Sequence, residues 1–294
     1  MFFHIAFFSG LLLLPAVLAV PSGLGAGVAH RRGARQSQFN SFLDTADAAS
    51  NSVYSANWAG AFWIKDNVCI LSPIFLWLRP ISSSSFKQGT FTSITGTFTV
   101  PTPSGEIGSS AVVWVGIDGS TCTSGLLQTG VTLYISPDGP EYGGKEALNP
   151  VFTPISLFLS RTAWYEWYPG PPATYFSNID VSAGDVISLN VTATSGKSGI
   201  ATVNNLTNGQ NASQILTSDA PLCGQNAEWI VEDAMEVNGL APFADFDTVT
   251  FTNAVATGAG TYTPSGANIT NIRQENEVLT STSISGSSVT IQYE

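Results

Sequence analysis

The chain has 294 residues, with 21 Asp+Glu against 10 Lys+Arg, for a net charge of −11. That balance excludes nucleic acid and anionic membrane as partners, because both are bound through clustered Lys and Arg. Charged residues make up only 11%, and Ser, Thr, Gly and Asn abound, which suits a secreted protein working in acid, where a lysine-rich surface would turn strongly cationic.

The chain begins with an apolar run, Phe7 to Val20, of the length of a signal-peptide core, with small Val17 and Ala19 ahead of a cleavage point. Residues 1–19 are therefore read as a signal peptide and the protein as extracellular. The run is too short to span a bilayer comfortably, and no later segment replaces it, so no membrane attachment is expected after cleavage. Residues 20–52 are rich in Gly, Ala and Ser and carry Arg31, Arg32 and Arg35. They read as a propeptide with a dibasic processing site; a flexible tail is the alternative.

Both histidines, His4 and His30, precede the body at residues 53–294. Ser-His-Asp and Cys-His catalysis and His-ligated zinc are thereby excluded from it. From Asn51 onward there are 7 Lys+Arg and 19 Asp+Glu, a charge of about −12.

The body shows short runs rich in Val, Ile, Thr, Phe, Tyr and Trp, separated by Gly, Pro, Ser and Asn. Strands are expected around 91–101, 110–118, 125–136, 162–169, 185–194, 227–233, 247–257 and 288–294. Alternation is clear where Val186, Ser188, Asn190 and Thr192 oppose Ile187, Leu189, Val191 and Ala193. One all-β domain of two packed antiparallel sheets is predicted.

One stretch fits badly. Residues 68–88, VCILSPIFLWLRPISSSSFKQ, are apolar yet contain Pro73, Arg79 and Pro80. They interrupt the passage from NWAGAFWIKDN into GTFTSITGTFTVP. Val68-Cys69 is encodable with a 5′ splice sequence and Gln88 with a 3′ splice end, so the segment is read as a translated intron or else a surface insertion. Of the three cysteines, Cys69 falls inside it, which leaves Cys122–Cys223 as the expected disulfide. Sequons at Asn190, Asn205, Asn211 and Asn268 are candidate glycosylation sites.

The body holds no Asp-Thr/Ser-Gly pair, phosphate loop, dinucleotide fingerprint or CxxC. Carboxylates and amides remain. In NAEWIVED (226–233), Glu228, Ile230 and Glu232 share one strand face, with Trp229, Val231 and Asp233 on the other. Glu228 and Glu232 are then about 13 Å apart, beyond the roughly 5–9.5 Å of paired glycosidase carboxylates. A lone carboxylate can still act as general base on water, with an amide stabilising the oxyanion. Gln128, in GLLQTGV, supplies such an amide. By spacing alone, Gln128 also reads as a solvent-facing strand residue and Glu228 as a rim carboxylate.

The blocks YSANWAGA (54–61), GTFTVPTPSG (96–105), VWVGIDGSTC (113–122), LLQTGV (126–131), YEWYP (165–169) and NAEWIVED resemble, in order, the signature blocks of the fungal glutamic peptidases, the eqolisins; PFADFDTVTFTNA (242–254) also resembles them. The resemblance implies a concanavalin A-like or jelly-roll β-sandwich and an acid-active, pepstatin-insensitive endopeptidase needing no cofactor, metal or covalent intermediate. It implies that Glu228 is the general base and that Gln128 orients water and donates to the oxyanion. Gly60 is placed beside them, with Trp58, Trp114, Asp118 and Glu166 as substrate-binding or supporting residues. Protein or peptide substrates, inhibition by the chain's own propeptide and a monomeric state are the expected associations. Two effects oppose each other at Glu228: hydrogen bonds to the charged form lower its pKa, and burial beside Trp229 raises it. The rival reading is a secreted carbohydrate-binding or glycoside-hydrolysing sandwich, with Trp164, Trp167 and Tyr168 stacking on sugar.

Overall fold

The computed structural model describes residues 52–65, 91–136, 139–141, 163–236 and 239–294. The expected signal peptide, the expected propeptide up to residue 51, and segment 68–88 lie outside these residues. Every regular element among the described residues is a strand.

In chain order these are β1 (Ser52–Ser55), β2 (Trp58–Ile64), β3 (Ser93–Thr99), β4 (Ser110–Ile117) and β5 (Leu126–Ser136). Then come β6 (Gly139–Glu141), β7 (Ala163–Tyr168), β8 (Thr174–Tyr175), β9 (Val186–Ser195) and β10 (Ser198–Asn205). The next five are β11 (Asn211–Thr217), β12 (Asn226–Glu232), β13 (Met235–Glu236), β14 (Gly239–Leu240) and β15 (Thr248–Thr257). The last are β16 (Thr261–Tyr262), β17 (Asn268–Gln274), β18 (Glu277–Val278), β19 (Thr280–Ser285) and β20 (Ser288–Tyr293).

They form the expected sandwich. One sheet runs β1-β17-β2-β12-β4-β5-β7-β8 and the other β11-β10-β9-β3-β15-β20-β19. Pairing within both is antiparallel except for β1 with β17. Between the sheets lie Ala61, Val113, Val115, Leu127, Val131, Trp229 and Val231 from the first, and Ile94, Phe98, Leu189, Val191 and Phe251 from the second. Each large apolar side chain so buried contributes about 1.5–3 kcal/mol.

The second sheet keeps the alternation seen in the sequence: along β9, Ile187, Leu189 and Val191 are buried and their neighbours half-buried. The central strands β4 and β12 of the first sheet are buried along their whole length. Their outward side chains Val112, Trp114 and Ile230 join Trp58 of β2, Leu126 of β5 and Trp164 of β7 in a second apolar layer. That layer is why NAEWIVED reads as a mixture of apolar and acidic residues with no solvent face.

Candidate active site

Strand register builds the site. Phe62 of β2 stands opposite Glu228 of β12, and Glu228 opposite Gly116 of β4. Gly116 stands opposite Gln128 of β5, and Gln128 opposite Glu166 of β7. These five residues form one lateral row on one sheet face, since directly paired residues share a face. The next row on that face is Gly60, Ile230, Trp114, Gly130 and Trp164. Beyond it, Glu232 is flanked by Trp58 and Val112.

Glu228 and Gln128 are thus two strand spacings apart, roughly 9.5 Å between Cα atoms. Gly116, which carries no side chain, stands between them. A Cβ at Gly116 would lie 2.9 Å from Leu126 Cδ1, 2.9 Å from Trp114 Cζ3 and 3.3 Å from Glu228 Oε2.

Both side chains are completely buried. Gln128 Nε2 donates to Glu166 Oε2 at 2.6 Å. A carboxylate oxygen only accepts, so this bond fixes which end of the amide is nitrogen. Gln128 Oε1 and both carboxylate oxygens of Glu228 have no hydrogen-bond partner among the described residues. Three polar atoms without a protein partner in a buried row cost stability unless something else satisfies them.

Burial lifts Glu228 well above the usual carboxylate range, and the nearby charge of Asp118 lifts it further. The Ser120 N–H, outside hydrogen-bonding geometry, pulls the other way most weakly. Burial therefore wins the contest left open by the sequence. Trp229 is not the apolar neighbour responsible: it points into the inter-sheet core, where Nε1 donates to Thr95 O at 2.8 Å. Leu126 and Trp114, on Glu228's own face, crowd the row instead.

Asp118 follows β4 at φ 69°. Its oxygens accept from the backbone N–H groups of Cys223 and Gly224 (2.7 Å each), Gln225 (2.7 Å) and Asn226 (3.1 Å). Burial raises it to about 6 even though all four amides pull it down. The Cys122–Cys223 disulfide is formed and pins the same junction. Asn226 adds a third tie, accepting from Thr121 N and Cys122 N through Oδ1. Asp118 therefore anchors the start of the Glu228 strand to the end of the Gly116 strand. The single cluster of potential metal ligands among the described residues is Asp118, Cys122 and Cys223, and its sulfurs are joined to each other.

The other expected residues sit on the same face. Trp114 Nε1 donates to Glu232 Oε2 at 2.8 Å, and Asn57 Nδ2 to Glu232 Oε1 at 3.3 Å. Trp58 packs edge-on against Trp114, with ring centroids 4.8 Å apart. Gly60 has φ 146°, and a Cβ there would meet the Trp229 carbonyl oxygen at 2.0 Å; it permits close strand approach one row from Glu228 and Gln128. The sequence reading missed Gly116, Asn57 and Asn226. Gly116 lay inside the block VWVGIDGSTC, but its meaning depends on which residues stand beside it.

The aromatics offered for sugar stacking do not form a platform. Trp167 is buried in the inter-sheet core and donates to Ala220 O at 2.9 Å, and Trp164 is fully buried. The sequons differ sharply. Asn205 is buried with Nδ2 donating to Asp180 O and Asp185 Oδ2, leaving no amide hydrogen for a glycan linkage in the folded chain. Asn190 is half-buried and donates to Ser93 Oγ and Ile94 O. Asn211 is exposed at the head of edge strand β11, and Asn268 is half-buried at the head of β17.

Comparison with known proteins shows which family the chain is similar to. Residues 81–293 match the model of the Peptidase A4 family. The chain is 40% identical to aspergillopepsin-2 of Aspergillus niger, over 84% of this chain and 80% of that protein. It is 32% identical to scytalidopepsin B of Scytalidium lignicola, over 96% and 95% of the two chains. Its fold superposes on a crystal structure of scytalido-glutamic peptidase bound to a transition-state analog inhibitor, with a TM-score of 0.62 and 35% identity, covering 81% of this chain and 98% of that one. The chain belongs to the peptidase A4 family, the eqolisins, and is a glutamic peptidase.

Proposed function

We propose that Gln128 and Glu228 are the catalytic dyad of a secreted acid endopeptidase. The observation that carries this reading is their placement in one buried row, on either side of a glycine, with three polar atoms unsatisfied. A water held between them is within reach of both. Glu228 takes its proton as it attacks the scissile carbonyl, and the Gln128 amide N–H not engaged by Glu166 donates to the developing oxyanion. Glu228 then returns the proton to the leaving nitrogen. Neither a metal nor a covalent intermediate takes part in this scheme.

Dry burial keeps Glu228 neutral in acid. Hydrogen bonds from water and solvation of the row favour the carboxylate, lowering its pKa toward the working range. Glu166 is a positioning residue, holding the amide so that its second N–H and its carbonyl stay available.

Residues 1–19 and 20–52 act as signal peptide and propeptide in this reading, and the mature body is a monomer. Arg31, Arg32 and Arg35 draw the propeptide onto the acidic body at neutral pH, and protonation of carboxylates releases it. Reversing those three charges should weaken inhibition by the propeptide added in trans; unchanged inhibition rejects electrostatic docking.

The dyad is tested by assaying peptide cleavage at acid pH in Gln128→Ala and Glu228→Gln. Both should lose activity by about 10²–10⁴ with native circular dichroism. Full activity in either variant overturns the assignment.

A further inference from the structure

We propose that residues 144–162 are a translated intron, inserted into the middle of what is one continuous β-strand, and that the working enzyme lacks them. Tyr134 pairs with Ser110 of β4 on one edge of β5 and with Glu141 of β6 on the other. Residues Leu127 to Val131 likewise pair with β4 and β7 at once. A strand has only two ladder edges, so β6 and β7 occupy the same one. Both are antiparallel to β5 and so run in the same direction along a single line.

The register leaves little room between them. Glu141 stands opposite Tyr134, and Ala163 opposite Val131. Only the two positions opposite Leu133 and Thr132 separate them. Two residues would carry the strand from Glu141 to Ala163, yet twenty-one, numbers 142–162, lie between. A β-bulge adds one residue, occasionally a few more, so an excess of nineteen is not a bulge. It is an interruption of a strand that is otherwise in register.

The residues at the boundaries say which nineteen. Gly144-Lys145 is encodable as GGT-AAG, which contains the 5′ splice sequence GTAAG. Thr162-Ala163 is encodable as ACA-GCN, which contains the 3′ splice end CAG. Excision from the second nucleotide of codon 144 through the first of codon 163 removes nineteen codons and keeps the frame. The surviving G joins the surviving CN to make GCN, which is again alanine. The product runs Glu141-Tyr142-Gly143-Ala163-Trp164, with the two residues that the register requires.

Composition points the same way. From Asn51 onward the basic residues are Lys65, Arg79, Lys87, Lys145, Arg161, Lys197 and Arg273. Segments 68–88 and 144–162 hold four of the seven. Both are apolar and broken by prolines, Pro73 and Pro80 in one, Pro150 and Pro154 in the other. Both are net basic, with Arg79 and Lys87 unopposed in one and Lys145 and Arg161 against Glu146 in the other, inside an otherwise acidic body.

Two measurements test the proposal. Mature message from the producing organism should contain a form in which codon 143 is followed by a fused alanine codon, and mass spectrometry of the active protein should find a peptide running Gly143-Ala163. Message and protein that uniformly retain all nineteen residues overturn it. Independently, recombinant chain lacking 144–162 should fold and unfold at a temperature no lower than the full chain. A shortened chain that fails to fold, beside a full chain that folds, also overturns it.

Discussion

Gln128 donates to Glu166 across β5 and β7 at 2.6 Å, and this bond is what fixes the polarity of the Gln128 amide. With Glu166 as the carboxylate, such a bond is worth about 1.5–3 kcal/mol. Glu166→Gln replaces the acceptor-only carboxylate with an amide that can bond either end of Gln128. We expect kcat to fall about 10- to 150-fold with KM nearly unchanged, and Glu166→Asp to restore part of the rate. A Glu166→Gln variant with wild-type kcat would remove Glu166 from the machinery while leaving the dyad assignment intact.

Gly116 stands between Glu228 and Gln128 in the row. In Gly116→Ala the new methyl would stand 2.9 Å from Leu126 and Trp114 side-chain carbons and 3.3 Å from Glu228 Oε2. Overpacking of this kind costs about 1–3 kcal/mol, or roughly 2–12 °C in Tm for a domain of this size. Activity should fall by more than the stability loss explains, which scanning calorimetry and acid peptidase assays on one preparation will separate. Equal activity per folded molecule would show that the gap is not needed.

The fold should be most stable in acid. Glu228 and Asp118 both have folded-state pKa values raised above their unfolded ones. Each binds its proton more tightly folded than unfolded, so its contribution is fully present below about pH 4 and is lost as pH rises through the folded value. For Asp118, moving from 3.8 to about 6, the loss is about 3 kcal/mol between those pH values. Tm measured across pH 3 to 7 should therefore decline through the window. Glu228→Gln, which cannot ionise, should flatten the curve at its upper end. A Tm that rises from pH 4 to 6 contradicts this linkage.

The disulfide closes a loop across a sequence separation of 101, for which chain entropy alone gives about 4.7 kcal/mol. Cys122→Ser with Cys223→Ser should lower stability by several kcal/mol. It should also loosen the amide clamp on Asp118, because Cys223 N is one of its four donors. Denaturant titration reads the first effect and the pH dependence of Tm reads the second.

Segment 68–88 should be removable. Lys65 N donates to Gln225 O at 2.8 Å and Phe91 N to Gly224 O at 2.7 Å. The chain thus leaves and re-enters at two adjacent carbonyls, a gap that Asp66, Asn67, Gly89 and Thr90 can span at about 3.3 Å per residue. A chain lacking 68–88 should retain the fold and acid activity. Loss of folding on deletion would show that the segment is structural.

Much of this protein is written locally. Alternation along β9 announced strands and their faces, because side chains in extended backbone take opposite sides by turns. The separation of Glu228 and Glu232 on one face, the absence of histidine from the body and the pairing of Cys122 with Cys223 needed no coordinates. The motif blocks singled out Gln128 and Glu228 as candidates, and the register places both in one row. Which residues stand side by side was decided by register between strands about a hundred residues apart, and period-two patterning carries no information about that offset. Only the tertiary structure could show Gly116 between Gln128 and Glu228, Glu166 on the far side of Gln128, and Trp229 turned away from Glu228 into the core. The same holds for Asn205, whose sequon is intact but whose amide is buried, and for β6 and β7, distant in sequence yet collinear. Local sequence sets what each strand can present; non-local pairing sets what it is presented to.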